Sequence, residues 1–126
     1  MERVFTIIVN DKNLLLLKDL NNKWTSVDAE FLNTDSNYTE SIIREVINST
    51  CLNIKSIENT RCLVQKYYLD KPCNYHIYIA YVTNNDVILN DNYIDYKWVD
   101  KEEFFNDIDF DDVEYLKTKL QNYLIF

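Results

Sequence analysis

Apolar and polar positions along this chain read as strands first, then a helix, then strands again, with a helical end. Val4 to Val9 is rich in β-branched residues and Leu14-Leu15-Leu16-Leu17 is purely aliphatic; the polar Asn10-Asp11-Lys12-Asn13 between them predicts a hairpin. Asp19 to Asn22 makes a second turn ahead of a short strand at Lys23-Trp24-Thr25-Ser26, and Asn33 to Asn37 is a polar loop. The clearest periodicity follows: Tyr38, Ile42, Ile43, Val46 and Ile47 fall on one face of a helix. Asn37 with Glu40 has the form of a capping box, so the helix is predicted to start there and to end near Thr50.

Arg61 to Tyr68 and Tyr75 to Thr83 are rich in aromatic and β-branched residues and predict a second strand pair, with Asp70-Lys71-Pro72 as the turn. The second of these is apolar on both faces, as a central strand is. Asp95 to Val99 reads as a further short strand and Asp100 to Phe105 as a helical turn. Asp111-Asp112 open a last helix whose buried stripe is Val113, Leu116, Leu120, Tyr123 and Leu124. This order predicts an α+β fold, a mixed β-sheet between helices in one domain spanning residues 1–126.

Composition removes several chemistries. The chain has no glycine, and a phosphate-binding P-loop, a dinucleotide turn and a nucleophile elbow each need that residue for close backbone approach or positive φ. His76 is the sole histidine, and Cys73 lies an odd number of strand positions from it, on the opposite face, so the two form no dyad. Cys51, Cys62 and Cys73 are widely spaced and read as reduced thiols in a cytoplasmic protein. A net charge of -8 argues against nucleic acid as a partner, and no apolar run approaches the roughly 20 residues of a membrane helix. The acids at Asp107 to Asp112 begin like a calcium loop, but Asp112 stands where that loop needs glycine.

Chemistry concentrates on the first helix. Glu45, Asn48 and Ser49 lie at i, i+3 and i+4 and are expected to converge opposite the apolar face, a geometry that offers oxygen ligands to a hard cation. Arg44-Glu45-Val46 followed by Leu52 resembles the second half of the Nudix box, G-x5-E-x7-R-E-U-x-E-E-x-G-U with U aliphatic. Asn48 and Ser49 stand where that family has two glutamates, Cys51 where it has a glycine, Ser36 at the earlier glutamate and Glu30 at the first glycine. The opening hairpin, Lys23-Trp24, and the segment from Tyr96 to Phe104 resemble their Nudix counterparts in order and spacing.

The resemblance to the Nudix (MutT-like) superfamily implies an α/β/α sandwich. It also implies hydrolysis of nucleoside diphosphate derivatives with Mg²⁺ or Mn²⁺ held by helix glutamates. Carried over by position, Glu45 and Arg44 are the catalytic candidates. Glu45 is the metal candidate, with Asp35, Asn48 and Ser49 as further oxygen donors. Neutral donors supply none of the charge that holds a dication or acidifies its water. The expectation is therefore a Nudix-like domain with a degenerate box and lost or reduced hydrolysis, binding a nucleotide-like ligand or a protein partner. The alternative is an active hydrolase with relocated carboxylates, for which Asp28, Glu30, Asp35, Asp86 and Asp91 are available.

Overall fold

A computed structural model describes residues 1–126. The β-branched opening segment forms β1 (Glu2–Asn10), buried on both faces over most of its length. Along one edge it pairs in parallel with β6 (Lys71–Val82), from Glu2 opposite Asn74 to Val9 opposite Tyr81. Its other edge is divided. β4 (Val27–Glu30) pairs antiparallel with Arg3 to Thr6, and β2 (Asn13–Asp19) pairs only at Val9 and Asn10, next to the hairpin turn. β2 then diverges to pair with β3 (Trp24–Thr25) on one side and β7 (Tyr93–Val99) on the other. β5 (Ile54–Tyr68) runs antiparallel along the far edge of β6 and completes a seven-stranded mixed sheet.

The strand period of two sends alternate side chains to two separate cores. Phe5, Ile7, Ile77 and Ile79 face α2 (Lys101–Asp107) and α3 (Val113–Leu120), packing with Phe104, Leu116 and Leu120. Val4, Ile8, Ala80 and Val82 face α1 (Tyr38–Thr50), packing with Ile42, Val46 and Leu52. The result is the α/β/α sandwich with a mixed central sheet that the strand and helix order predicts.

Four local differences from the sequence reading have physical causes. β4 is only four residues long, too short for alternation to announce it, and is held as a strand by β1. β5 begins at Ile54 rather than Arg61, because a bulge between Asn59 and Cys62 interrupts the pattern. At that bulge Arg61 is left-handed and the Thr60 hydroxyl donates to the Ile77 carbonyl. The β5–β6 turn is Leu69-Asp70, both at positive φ as a primed two-residue turn requires, which places Lys71 and Pro72 inside β6. Pro72 is tolerated there because the ladder with β1 starts only at Asn74.

The fourth difference is a roll of α1. Asn37 caps it as expected, accepting from the Glu40 amide, while the Glu40 carboxylate takes the Ser36 amide. Ser41, Ile42, Val46, Ser49 and Thr50 are its buried residues, whereas Ile43 and Ile47 are 41% and 46% exposed. The helix ends at Cys51, whose left-handed backbone (φ 59°) lets its amide reach the Ile47 carbonyl.

A non-glycine residue in that conformation costs roughly 1–2 kcal/mol, and the exposed Cys51 side chain offers little packing in return. Cys51→Gly is expected to stabilise the fold by about 1 kcal/mol, visible as a rise of roughly 3–6 °C in Tm. An unchanged or lowered Tm would refute this account of the cap.

Candidate functional site

Arg44 is the centre of the helix site, because one guanidinium ties three parts of the chain together. It forms a short ion pair with Asp35, donates from Nη2 to the Glu30 carbonyl at 2.9 Å, and holds Glu45 at 3.5 Å through Nε. Asp35 in turn accepts from the Leu32 amide at 2.8 Å and the Ser41 hydroxyl at 2.9 Å. The Arg44 hydrogen bond, with the Leu32 and Ser41 bonds behind it, holds the Asp35 carboxyl below the usual range against some opposing desolvation. Asp35 is therefore the anchor of the loop entering α1.

The three helix positions expected to converge do not share one environment. Glu45 is half-buried, Asn48 is exposed to solvent, and Ser49 is 2% exposed, beneath the segment that follows β6. That segment is fastened to the helix end by the Ile88 amide on the Thr50 carbonyl (3.0 Å) and the Asn90 amide on the Ser49 carbonyl (3.3 Å). Tyr93 follows it at the start of β7. Burial, together with the carboxylates of Asp28 and Glu45, pushes the Tyr93 phenol up to about 12. It is a neutral group where a metal-binding helix would present charge.

Asp28 stands within β4, opposite Phe5 of β1, and is paired with Arg3 at 2.8 Å. Burial raises its carboxyl above the ordinary range, with Arg3 only partly offsetting that. The Arg3 guanidinium sits 4.0 Å from the centre of the Tyr68 ring. Lys66 lies alongside, 4.6 Å from the Tyr75 ring and 5.1 Å from Phe110, without an ion-pair partner. Burial, then Asp28, drives the Tyr75 phenol strongly upward, so it stays a neutral donor. The strand tyrosines Tyr68 and Tyr75 are readable from the sequence as a stacking surface, whereas Arg3, Lys66 and Tyr93 are not. A cation opening an otherwise apolar strand is the one signal Arg3 gave.

The other acids are spent elsewhere or dispersed. Asp107 pairs with Lys97, Asp112 caps α3 and Asp109 lies 3.8 Å from Lys23, so the calcium-like run does not close on a common point. Asp86 and Asp91 are exposed, and Glu30 contributes its carbonyl rather than its carboxylate to Arg44. His76 stacks on Tyr38 at 4.5 Å and bonds Glu2, while Cys73 is buried on the other face of β6. Nowhere do three His, Cys, Asp or Glu side chains gather as a metal would need. The residues around Glu45 do not fit Mg²⁺ or Mn²⁺: one carboxylate there is faced by a cation and its neighbours are neutral. No helix is long and apolar enough to cross a membrane.

No family model and no curated protein matches this chain. Solved structures do match its fold. A C. elegans Ap4A hydrolase in a binary complex superposes with a TM-score of 0.81 at 17% identity, over 98% of this chain and 96% of that one. A MutT protein from Methanosarcina mazei Go1 gives 0.80 at 21% identity, over 98% and 94%. The Nudix domain of Shewanella oneidensis NrtR complexed with ADP ribose gives 0.73 at 16% identity, over 98% and 88%. At these identities the likeness establishes the Nudix fold.

The Asp35 anchor has a pH signature. A carboxyl whose folded pKa is depressed contributes stability above its unfolded value near 4, and loses it as pH falls through the folded value. Chemical denaturation of wild type and Asp35→Asn from neutral pH to about pH 2 should show a stability gap that is widest near neutrality and closes on acidification. A gap independent of pH would mean that Asp35 acts through packing alone.

Proposed function

We propose that this chain is a Nudix-fold binding module for a nucleotide-like ligand, working without metal-dependent hydrolysis. The observation that carries the reading is the commitment of Asp35 and Glu45 to Arg44, with neutral Asn48 and buried Ser49 where further ligands would be needed. A hydrolase of this fold must concentrate negative charge on a dication that acidifies water, and a placed general base alone is worth roughly 10² to 10⁴ in rate. Glu45 alone supplies neither the ligand count nor a base free of its own cation. The ligand side of the reading rests on the group beyond Asp28. Lys66 is an unpaired cation over aromatic faces, next to the cation–aromatic stack of Arg3 and Tyr68, which suits an anion joined to a planar base. The ADP ribose held by one protein of the same fold is in keeping with that chemistry.

A second reading, hydrolysis with relocated carboxylates, draws on one observation: Asp28, Glu45 and Asp19 all bear electrostatically on Tyr93. Against it, Asp28 is paired with Arg3, and the three carboxylates do not close into a metal-sized cluster.

Two measurements separate the readings. With Mg²⁺ or Mn²⁺, ATP, ADP ribose and diadenosine tetraphosphate are expected to be turned over no faster than in a protein-free blank. Turnover abolished by Glu45→Gln would install the hydrolase instead. With EDTA present, calorimetric titration of ADP ribose should still show binding, weakened roughly threefold to tenfold by Lys66→Ala. Binding that requires the metal, or is untouched by Lys66→Ala, would count against the proposed ligand site.

A further inference from the structure

The roll of α1 leaves an apolar stripe without a partner. Thr39, Ile43 and Ile47 repeat every four residues along the helix and form one wall of a groove of about 430 Å³. Its floor is the start of β5, where Ile54 and Ile57 contribute apolar surface. β5 pairs only with β6, so its outer backbone edge runs open beside the helix wall. From Ser56 to Asn59 this edge is regular, between a register shift at Ile54 to Ser56 and the bulge at Asn59 to Cys62 that twists it away. Four residues of regular open strand, roughly 13 Å, therefore lie beside a helix with exposed isoleucines.

The charge along this edge is opposite to that of the molecule. The chain carries a net charge of -8, yet β5 has Lys55, Arg61 and Lys66 against the single acid Glu58. Glu58 accepts the Tyr81 hydroxyl at 3.0 Å, and neither Lys55 nor Arg61 belongs to any ion pair. Two such edges meeting in a symmetric dimer would set like charges against each other, and the overall charge of each copy adds to that repulsion.

We infer that this groove receives an extended acidic segment of a partner protein, added as a strand to the edge of β5. Main-chain bonds to Ser56–Asn59 supply affinity that does not depend on sequence. Apolar side chains at alternate positions of the segment enter the groove against Ile43 and Ile47, and its intervening acids lie by Lys55 and Arg61. The site is on the outer side of α1, away from Glu45 and Ser49, and the inference stands independently of the ligand reading above.

The test uses two synthetic pools of capped seven-residue peptides, one alternating Val, Ile, Leu or Phe with Asp or Glu, the other with Lys or Arg in the charged places. Each is titrated to about 1 mM into the 15N-labelled full chain, a concentration that detects even millimolar affinity. The acidic pool is expected to shift and protect the amides of residues 56–59, with added salt weakening the effect. Lys55→Glu should weaken binding about threefold to fivefold, and Ile47→Ser about tenfold, each with its Tm close to wild type. No shift with the acidic pool, or equal shifts with both pools, would overturn the inference. So would sedimentation showing a dimer of the free chain that Ile47→Ser dissolves, since the groove would then belong to a second copy.

Discussion

The rest of the molecule depends on how β1 is paired. One edge is filled along its length by a parallel neighbour, β6, while the other is shared by two strands that cannot both continue. Where β4 ends, the Ser26 hydroxyl donates to the Thr6 carbonyl, and beyond it β2 turns away with β3 and β7. A sheet that parts in this way must open a gap beside its most buried strand. Asp28 stands in β4, opposite Phe5, and Tyr93 is close enough for its phenol to respond to the Asp28 charge. Strand pairing thus places polar residues in the interior: Arg3 is partnered by Asp28, whereas the Thr6 hydroxyl on β1 is buried without a hydrogen-bond partner.

Arg44 does for the helix what β1 does for the sheet. Its planar fork can meet a carboxylate, a backbone carbonyl and a second carboxylate at once, which a lysine could not do with the same geometry. The cost of this anchoring is chemical. Asp35 is stabilised as an anion, and a carboxylate faced by a guanidinium offers less negative potential to a dication. The same contact that positions α1 also offsets the charge of the acids beside it.

Much of the fold was legible in the sequence because it is written locally. The hairpin of β1 and β2 follows from a polar turn between β-branched and leucine runs, and Asn37 announced its helix through cap chemistry. The roll of α1 was not legible, because Ile42 and Val46 lie on the buried face in either orientation. Ile43 and Ile47 favoured one side by hydrophobicity alone. What decided the other was tertiary: the chain after β6 lies over Ser49 and Thr50 and satisfies their carbonyls, so polar residues are buried in preference to isoleucines. Likewise, Arg44 and Glu45 could be found from local spacing, whereas Asp28, Arg3, Lys66 and Tyr93 come together only through strand register. β4, four residues long, carried no period to read, and Pro72 was taken for a turn because its place beyond the end of β1 is a property of the sheet.

The absence of glycine bears on what the helix end is for. Six non-glycine residues adopt positive φ, and three of them, Asp11, Asn22 and Asp70, are of the types that bear it most easily. Cys51 is not, and each such residue costs roughly 1–2 kcal/mol in a molecule whose stability is expected to be only about 5–15 kcal/mol. The left-handed cap at Cys51 ends α1 so that Leu52 is fully buried and the chain can enter β5. The shape of the helix end is thus maintained at an energetic cost, while Glu45 is paired with Arg44 and its neighbours Asn48 and Ser49 carry no charge. The recognition role proposed above asks only for that geometry, since a ligand or partner is read by shape and polar contacts and needs no activated water.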